Sequence, residues 1–363
     1  MERNVIVGQS GGPTAAINSS LAGVYRTAKD RGAKKVYGML HGVQGLLEEK
    51  YIDLSDHIKT ELDAELLKRT PAAFLGSCRY KLPEIHENRE VYDKIFAILD
   101  KLDIEAFIYI GGNDSMDTIK KLSDYAIITG HSTRFVGCPK TIDNDLALTD
   151  HTPGYGSAAK YIGTSMKEII RDGFCLEYEK GIVTIVEIMG RNAGWLTGAA
   201  ALSEGEDCEG PDLIYLPETV FDLQKFSVKV KELLKKKTSI VVAVSEGIRT
   251  ADGNYVCELG NSVDFVDAFG HKQLSGTASY LASFIAGEIG CKTRAIELST
   301  LQRSASHAAS RVGILEAYQV GGAAVKAADE GDSGKMVVLQ RLSDDPYQCG
   351  TEVKDVHKIA NDE

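Results

Sequence analysis

Short runs of apolar and often β-branched residues alternate along this chain with longer segments whose apolar positions recur at helical spacing. The first apolar run is NVIVGQ at residues 4–9, and helical spacing follows over residues 14–30. Similar runs recur along the chain, and they are KKVYGML, EAFIYIGG, TRFVGCPK, GIVTIVEIMG, PDLIYLP, SIVVAVSEG, TRAIEL and KMVVLQ. This alternation predicts an α/β fold with mainly parallel sheets that are covered by helices on both faces.

Several of the predicted strands lead directly into turns of glycine and other small residues. These turns are QSGGP, GGNDS, MGRNAG and SEG. Ligands of open α/β folds bind beyond the carboxyl ends of the strands, so binding and catalytic residues should be sought in these turns. The segment 149–156, which contains HTPGYG, interrupts the alternation. We expect the boundary between two lobes there, because 363 residues exceed the usual size of one hydrophobic core.

The composition disfavours several classes of partner and site. With a formal net charge of −11, the protein has no bulk electrostatic attraction for a nucleic acid or an anionic membrane surface, so neither is favoured as a partner. No apolar run approaches the ~20 residues of a membrane span, and the start lacks a signal-peptide core, so we expect a cytoplasmic protein. The 7 cysteines form no CxxC pair and the 8 histidines no HExxH pattern. A disulfide framework and a transition-metal site are therefore disfavoured.

The first glycine-rich loop, GQSGGPTAAIN at residues 8–18, is open to more than one interpretation. Backbone N–H groups at Gly11 and Gly12, together with the start of the predicted helix, suit the binding of an oxyanion. A tight strand-to-helix turn needs glycine for packing as well. The same loop spells GxSxG around Ser10, the nucleophile elbow of serine hydrolases. That elbow normally follows a central strand preceded by other strands, whereas this loop follows the first strand, so we disfavour a hydrolase.

Two later loops combine the residue types that phosphoryl transfer requires. Residues 111–115 supply glycine amides, a carboxylate and a hydroxyl, and residues 137–146 add Lys140, Asp143 and Asp145. Phosphoryl transfer needs positioning, a cation, and a carboxylate that accepts the proton of the attacking hydroxyl. An acidic turn with local hydrogen bonds would explain TIDND alone. The second loop about 30 residues earlier, also after a strand, makes a binding site the better interpretation.

Taken together, the motifs SGGPTAAIN, LGSCRY, GGNDS, PKTIDND, EIMGR, SEG and LQR resemble, in this order, those of the phosphofructokinase family. The resemblance covers residues 3 to about 330. It implies two similar three-layer lobes with the active site in the cleft between them, and a homodimer or homotetramer. The first lobe, over residues 1–150 and completed by about 300–330, would bind the phosphoryl donor. The second, over 151–299, would bind the sugar phosphate, and residues 330–363 would add an extra strand and a tail.

The resemblance also implies the roles of individual residues. Asp143 matches the general base that takes the proton from the 1-hydroxyl of fructose 6-phosphate, and Lys140 and Asp145 complete the catalytic set. Binding of the phosphoryl donor is assigned to Gly12, Arg79, Gly112, Asn113, Asp114 and Ser115. Binding of the sugar phosphate is assigned to Thr141, Met189, Gly190, Arg191, Glu246, Arg294 and Arg303. Arg294 is expected to reach in from a neighbouring subunit.

Two positions indicate which donor is used. Members of the family that use ATP resemble GGDGS and PGTIDND, so Asp114 and Lys140 each stand in place of a glycine. At an effective dielectric of about 20, like unit charges ~4 Å apart repel by about 4 kcal/mol, so Asp114 disfavours the α-phosphate of ATP. Lys140 can hold the terminal phosphates of a compact donor. The resemblance therefore implies reversible transfer from pyrophosphate, with Mg²⁺ bridging its phosphates and Asp114 as a metal ligand.

Other interpretations stay open from the sequence. One alternative is the use of ATP, or of another sugar phosphate such as sedoheptulose 7-phosphate. A second is a non-catalytic paralogue that binds metabolites and regulates a partner. Asn113, Ile182 and Thr300 depart from the family pattern, at places where an aspartate, an arginine and a histidine are usual. Retention of Asp143 argues against the paralogue, because a protein without chemistry has no need of a base.

Overall fold

The computed structural model describes residues 1–175, 178–260 and 274–360, which lie in two compact units. The first unit consists of Met1–Ser157 and Arg303–Glu363, and the second of Ala158–Gln302. The strands are β1 Asn4–Gln9, β2 Val36–Met39, β3 Tyr51–Asp53, β4 Ile104–Gly111, β5 Arg134–Pro139, β6 Ile182–Ile188, β7 Leu213–Tyr215, β8 Ser239–Ser245, β9 Lys292–Glu297, β10 Lys335–Asp344 and β11 Tyr347–Asp355. The helices are α1 Ile17–Asp30, α2 Gly42–Leu47, α3 Glu61–Arg69, α4 Arg89–Lys101, α5 Asn113–Thr129, α6 Tyr155–Phe174, α7 Trp195–Gly198, α8 Leu223–Leu234, α9 Thr277–Ile289 and α10 Arg311–Asp329.

The sheet of the first unit has the strand order β11-β10-β5-β4-β1-β2-β3. Its inner strands run parallel, and the strand at each edge pairs antiparallel. Successive residues of a strand point to opposite faces, so the buried run of β1 feeds two cores. Val5 and Val7 pack with α1 and α10, whereas Ile6 between them packs with α4 and α5. This double burial explains why β1 and β4 have nearly continuous apolar sequences.

The two antiparallel edge strands of this sheet were not predicted from the sequence. β3 has only 3 residues, too few to show a periodic pattern. The expectation of one strand and a tail beyond residue 330 was incomplete, because β11 pairs with β10 to form a hairpin. β11 reads YQCGTEVKD, and its residues are exposed or half-buried. An edge strand that buries so little surface carries a weak apolar signal.

The second unit has a four-stranded sheet in the order β7-β8-β6-β9, with every pair parallel. β6 and β8 pair along their full length and are almost entirely buried. Apolar residues of α8 and α9 complete a core with these two strands. The predicted α/β fold with mainly parallel, helix-covered sheets is therefore confirmed.

The strand order determines which loops are neighbours. β5, β4 and β1 are adjacent and parallel, so the loops that follow them leave the same edge of the first sheet. β6 and β8 are likewise adjacent and parallel in the second sheet. The candidate loops thus form two groups, one in each unit. Within the described residues, no helix has the length and apolar character that crossing a membrane requires.

Candidate functional site

Lys140 directly follows β5, and it connects the loops that leave the neighbouring strands. Its Nζ donates to the carbonyl oxygen of Gly12 at 2.8 Å. Its backbone N–H donates to the carbonyl oxygen of Gly111 at 2.9 Å. The residue is only 2% exposed. The loops after β1, β4 and β5 therefore meet around one buried cation.

The charges around Lys140 are mixed, and their effects on its pKa can be separated. Burial has the largest effect and lowers the pKa of the ammonium group. The charges of Asp143 and Asp145 raise this pKa, whereas those of Arg303 and Arg79 lower it. The resulting pKa is about 8. These five side chains lie close enough to act on one another electrostatically. The group holds more cations than carboxylates, so it forms a local positive region in a protein of net charge −11. Such a region suits a small, highly charged anion.

The glycine pair after β4 has two different structural explanations. A Cβ on Gly111 would stand 1.9 Å from Ser115 Oγ and 2.5 Å from Ser115 Cβ, so this glycine is required by packing. A Cβ on Gly112 would meet its nearest heavy atom, the carbonyl oxygen of Lys140, at 3.6 Å, which is ordinary contact. Gly112 also has a φ of −90°, which any residue adopts. The fold therefore requires Gly111 and leaves Gly112 to be explained by function.

Helix α5 begins at Asn113, so Asp114 lies in its first turn. A carboxylate there is favourable because it faces the positive end of the helix dipole. Asp114 thus has a structural reason to be present in addition to its predicted effect on the donor. Ser115, the next residue, is buried at 2% exposure and packs against Gly111. The predicted donor residues 112–115 are therefore one continuous strand-to-helix turn.

The TIDND loop is held in shape by its own side chains. The backbone N–H of Asp143 donates to Thr141 Oγ1 at 3.1 Å. Asn144 has a φ of 59°, in the left-handed region that asparagine tolerates better than most residues. Its side-chain oxygen accepts the N–H of Thr152 at 2.9 Å, and the Thr152 hydroxyl donates to the carbonyl oxygen of Thr141 at 2.8 Å. This role of Thr152, which lies within the interruption at HTPGYG, was not predicted from the sequence.

The first loop differs from its sequence prediction in one respect. Helix α1 begins at Ile17, and the Thr14 hydroxyl accepts the N–H of Ile17 at 2.9 Å. The N–H of Gly11 donates to the carbonyl oxygen of Cys78 at 3.3 Å. The N–H groups of Gly11 and of Ile17 at the helix start thus already have acceptors within the protein, whereas donor binding at Gly12 stays a prediction. The positive charge at this loop comes from Lys140 instead.

Ser10, the central residue of the GxSxG pattern, is buried at 3% exposure. Its hydroxyl lies 3.5 Å from the carbonyl oxygen of Cys78. A hydrolase nucleophile has to be accessible to its substrate and hydrogen-bonded to a general base. A buried hydroxyl beside a backbone carbonyl does not meet these requirements. The structure therefore agrees with the interpretation that the protein is not a serine hydrolase built on Ser10.

Arg79 and Arg303 join the same region of the first unit from distant parts of the chain. The nearest atom to a Cβ built on Gly12 is an Nη of Arg303, at 3.7 Å. The carbonyl oxygen of Arg303 accepts the N–H of Ala15 at 3.1 Å, which fixes the backbone beside the first loop. Arg79 follows Cys78, whose carbonyl oxygen is the acceptor for Gly11. Arg303 was predicted to bind the sugar phosphate, and the structure places it with the predicted donor residues.

The second unit groups most of the remaining predicted residues at the carboxyl ends of β6 and β8. The N–H of Met189 donates to Gln302 Oε1 at 3.2 Å, and that of Gly190 donates to Glu246 Oε1 at 3.4 Å. Gly190 has a φ of 134°, which favours glycine. A Cβ on Gly247 would lie 2.0 Å from the carbonyl oxygen of Arg191, so the two loops touch through their backbones. The EIMGR and SEG motifs therefore form one site in this unit.

Arg294 lies apart from that group within the second unit. Along β9 it pairs in register with Thr184, which precedes Met189 by five positions on β6. At about 3.3 Å per residue, this separation is about 16 Å along the strand. The Arg294 guanidinium forms an ion pair with Asp172 of α6 at 3.1 Å. The structure therefore does not bring Arg294 together with Met189, Gly190 or Glu246 inside this unit.

The described residues contain no cluster of three or more His, Cys, Asp or Glu side chains that could hold a metal ion by themselves. Mg²⁺ seldom needs such a cluster, because it usually binds through one or two carboxylates together with substrate phosphates and water. Asp143 and Asp145 lie in the TIDND loop, and Asp114 lies at the start of α5. These carboxylates fit an ion that arrives with a phosphate substrate.

Comparison with known proteins agrees with the motifs. A family model described as Phosphofructokinase matches residues 4–328. The pyrophosphate–fructose 6-phosphate 1-phosphotransferase of Xanthomonas campestris pv. campestris (strain B100) is 41% identical over 360 residues, which are 99% of this chain and 85% of that protein. The enzyme of the same name from Halomonas elongata is 40% identical over 366 residues, covering 100% of this chain and 85% of that protein. The crystal structure of a pyrophosphate-dependent phosphofructokinase from Nitrosospira multiformis matches with a TM-score of 0.88 at 34% identity, covering 99% of this chain and 85% of that one. This chain therefore belongs to the phosphofructokinase family.

Proposed function

We propose that this protein transfers a phosphoryl group reversibly from pyrophosphate to the 1-hydroxyl of fructose 6-phosphate, giving fructose 1,6-bisphosphate and phosphate. The observation that carries the proposal is the environment of Lys140. This buried ammonium group donates to the carbonyl oxygen of Gly12, and the charges of Asp143, Asp145, Arg303 and Arg79 act on its pKa. A donor with no base or ribose needs such a compact cationic site. The relatives of this chain that are about 40% identical carry this activity in their names.

The residues of the first unit would act on the donor. Lys140 and Arg79 supply positive charge for the phosphates of the donor and for the phosphate that leaves. Gly112 leaves open the space beside the start of α5 that a Cβ would take. Asp114 disfavours a nucleotide by charge repulsion at the same turn. Asn113 and Ser115 complete the donor turn, so we assign donor binding to this unit.

Asp143 would accept the proton of the attacking hydroxyl. The Thr141 hydroxyl accepts the backbone N–H of Asp143 at 3.1 Å, and Thr141 would contact the same substrate. Asp145, with its negative charge close to Lys140, supports the loop electrostatically. In this proposal the base takes the proton as the oxygen–phosphorus bond forms and the bond to the leaving phosphate breaks.

We assign the sugar phosphate to Arg303 and to the loops of the second unit, namely Met189, Gly190, Arg191 and Glu246. Arg294 lies about 16 Å along the sheet from the Met189 loop, by the usual rise per residue. Its predicted role therefore requires a second copy of the chain, and we propose a homodimer or homotetramer. We also propose a cytoplasmic location, as expected for an enzyme of sugar phosphate metabolism, with no nucleic acid or membrane as partner.

Mg²⁺ is the cofactor that we propose, with Asp114 as its protein ligand. Bound to the donor, it would neutralise charge on the phosphates during transfer. The described residues hold no cluster of three or more His, Cys, Asp or Glu side chains, which agrees with this role because substrate phosphates and water would supply the other ligands.

The test is a comparison of donors. Purified protein is given fructose 6-phosphate and Mg²⁺ with either pyrophosphate or ATP, and fructose 1,6-bisphosphate is measured. We expect turnover with pyrophosphate and little with ATP. Asp143→Asn should lower kcat by at least about 100-fold while sugar phosphate binding, measured by calorimetry, stays within twofold. Turnover with ATP alone would overturn the assignment of the donor, and no turnover with any donor would favour the non-catalytic paralogue.

A further inference from the structure

A short segment of the first unit, residues 149–152, lies between the TIDND loop and the C-terminal hairpin formed by β10 and β11. On the loop side, Thr152 makes the hydrogen bonds to Thr141 and Asn144 already described. In addition, the N–H of Thr141 donates to the carbonyl oxygen of Pro153 at 3.3 Å. The residues on both sides of Asp143 are thus attached to Thr152 and Pro153, Thr141 through its backbone and Asn144 through its side chain.

On its other side the same segment is attached to strand β10. The N–H of Asp150 donates to the carbonyl oxygen of Leu339 at 2.9 Å. The N–H of Leu339 donates to the Thr149 hydroxyl, also at 2.9 Å. The Arg341 guanidinium also donates two hydrogen bonds to the Asp150 carboxylate, from Nε to Oδ1 at 3.2 Å and from an Nη to Oδ2 at 3.1 Å. Because paired contacts of this kind fix orientation as well as distance, Arg341 determines where Asp150 lies.

His151 completes the attachment from inside the unit. Its Nδ1 lies 2.8 Å from Asp150 Oδ2, and its Nε2 lies 2.8 Å from Glu316 Oε2 of α10. A neutral imidazole has only one N–H, so one ring nitrogen would face a carboxylate with its lone pair. Only the imidazolium can donate to both carboxylates. Burial lowers the pKa of His151, but the hydrogen bonds and charges of Glu316 and Asp150 outweigh burial and raise it.

The charged groups that face His151 come from each element around it. Asp150 belongs to its own segment, Glu316 to α10 and Arg341 to β10, while the hydroxyl of Tyr347 at the start of β11 donates to Glu316. Arg341 also pairs with Asp344 of β10 at 3.0 Å, so with His151 protonated the cluster contains two cations and three carboxylates. Deprotonation of His151 adds a further uncompensated negative charge to this half-buried group. The attachment is therefore complete only while His151 carries its proton.

We propose that His151 and Arg341 are positioning residues for the general base, acting through Asp150 and Thr152 on the TIDND loop. The family model ends at residue 328, whereas the hairpin begins at Lys335. The hairpin thus lies outside the residues that the family model matches, and in this proposal it helps to position the base. This inference rests on the proposed function, because it assigns Asp143 the role of base.

The expected kinetic effect follows from what a misplaced base does. Asp143 acts on the proton that moves in the transition state, so displacing it lowers kcat and leaves ground-state binding largely intact. For Arg341→Leu and for His151→Gln we expect kcat to fall about tenfold, with KM for both substrates changed less than twofold. Arg341→Lys keeps a cation near Asp150 and should recover part of the loss.

A matched control is available on the same hairpin. Lys354 of β11 pairs with Glu352 at 2.6 Å and makes no contact with the Asp150 cluster among the interactions of the described residues. Lys354→Leu removes the same charge from the same hairpin and should leave kcat unchanged. Hydrogen–deuterium exchange of residues 140–154 provides a measurement that does not depend on activity. Exchange there should become faster in Arg341→Leu and stay unchanged in Lys354→Leu.

Each outcome decides between the alternatives. Loss of kcat together with faster exchange in Arg341→Leu and His151→Gln, at assay temperatures well below their melting points, supports the proposal. Wild-type kcat in both variants, or equal losses in Lys354→Leu, overturns it. If the wild-type protein shows no turnover, the proposed function fails, and the exchange experiment still tests whether the hairpin holds the TIDND loop. Unchanged exchange in Arg341→Leu would then overturn the attachment itself.

Discussion

The ammonium nitrogen of Lys140 lies 2.8 Å from the carbonyl oxygen of Gly12, in a place so buried that the pKa of this lysine falls to about 8. The unfolded chain binds this proton more tightly than the folded protein does. The free energy of unfolding therefore increases as the pH rises from about 8 to 10.5, and below pH 8 the charged lysine is destabilising. A residue retained at such a cost indicates a function for its charge.

Replacing Lys140 by methionine separates function from stability. Lys140→Met keeps the length of the side chain and removes the buried charge, so it should raise the free energy of unfolding at pH 7 by up to about 3 kcal/mol. It should lower kcat/KM for pyrophosphate by about 100- to 1000-fold, because the donor loses its buried cation. Urea denaturation and steady-state kinetics measure the two effects. A variant that is both less stable and fully active would contradict this account of Lys140.

The pH dependence of the wild-type enzyme provides the matching control. Lys140 is charged below pH 8, so KM for pyrophosphate should rise once the pH exceeds about 8. In Lys140→Met the same rise should be absent. If both proteins show identical pH profiles of KM, another group is responsible for the titration.

The glycine pair after β4 allows packing and ligand binding to be tested separately. Gly111→Ala places its Cβ 1.9 Å from Ser115 Oγ, so we expect a loss of at least about 2 kcal/mol in the free energy of unfolding. Gly112→Ala meets only ordinary contacts, so its melting temperature should stay within about 2 °C of the wild type. We nevertheless expect its KM for pyrophosphate to rise at least about tenfold. Wild-type KM in Gly112→Ala would show that the donor does not approach this glycine.

The sequence predicted the fold and most of the loops because they rest on strong local signals. β4 reads IEAFIYIG and is buried on both faces, so its apolar run is nearly continuous. β5, β4 and β1 each end in a loop with unusual residues, and parallel pairing brings such loops to one edge. The convergence of Gly12, Gly111 and Lys140 follows from the strand order, which was not predicted from the sequence.

The remaining features depend on contacts between residues that are distant in sequence. The N–H of Gly11, which was expected to bind an anion, donates to the carbonyl oxygen of Cys78 far along the chain, and nothing in the loop sequence indicates this partner. His151 is attached to Glu316, which lies 165 residues away, so no local pattern relates the two. β11 was missed because an exposed edge strand has little apolar periodicity. Prediction from sequence therefore failed where tertiary partners decide what a polar group does.

Asp114 and Lys140 together should determine the choice of donor. The double variant Asp114→Gly/Lys140→Gly removes the carboxylate that repels a nucleotide and the cation that holds pyrophosphate. We expect kcat/KM for pyrophosphate to fall at least about 100-fold and measurable turnover with ATP to appear. Asp114→Gly alone should also cost about 1 kcal/mol of stability, because α5 loses a favourable first-turn charge and gains a glycine. A double variant that still prefers pyrophosphate would contradict the proposed basis of selection.

Glu187 of β6 is a buried carboxyl group in the second unit, two residues before the Met189 loop. Burial has the largest effect and raises the pKa of Glu187. The hydrogen bond from the N–H of Ala278 at 2.9 Å lowers this pKa, and the charge of Glu297 raises it. The resulting pKa is about 7. The folded protein thus binds this proton more tightly than the unfolded chain. The free energy of unfolding should fall as the pH rises from 4.5 to 7, because the buried group must ionise.

Glu187→Gln should remove this part of the pH dependence. The amide oxygen can still accept the N–H of Ala278, and it never ionises. We expect the variant to match the wild type near pH 5 and to exceed its free energy of unfolding above pH 7, by up to about 3 kcal/mol. Urea denaturation between pH 5 and 8 measures the difference. Glu297→Gln serves as the control, since it removes a neighbouring charge and should move the transition of Glu187 to lower pH. Parallel curves for Glu187→Gln and the wild type would show that Glu187 does not titrate in this range.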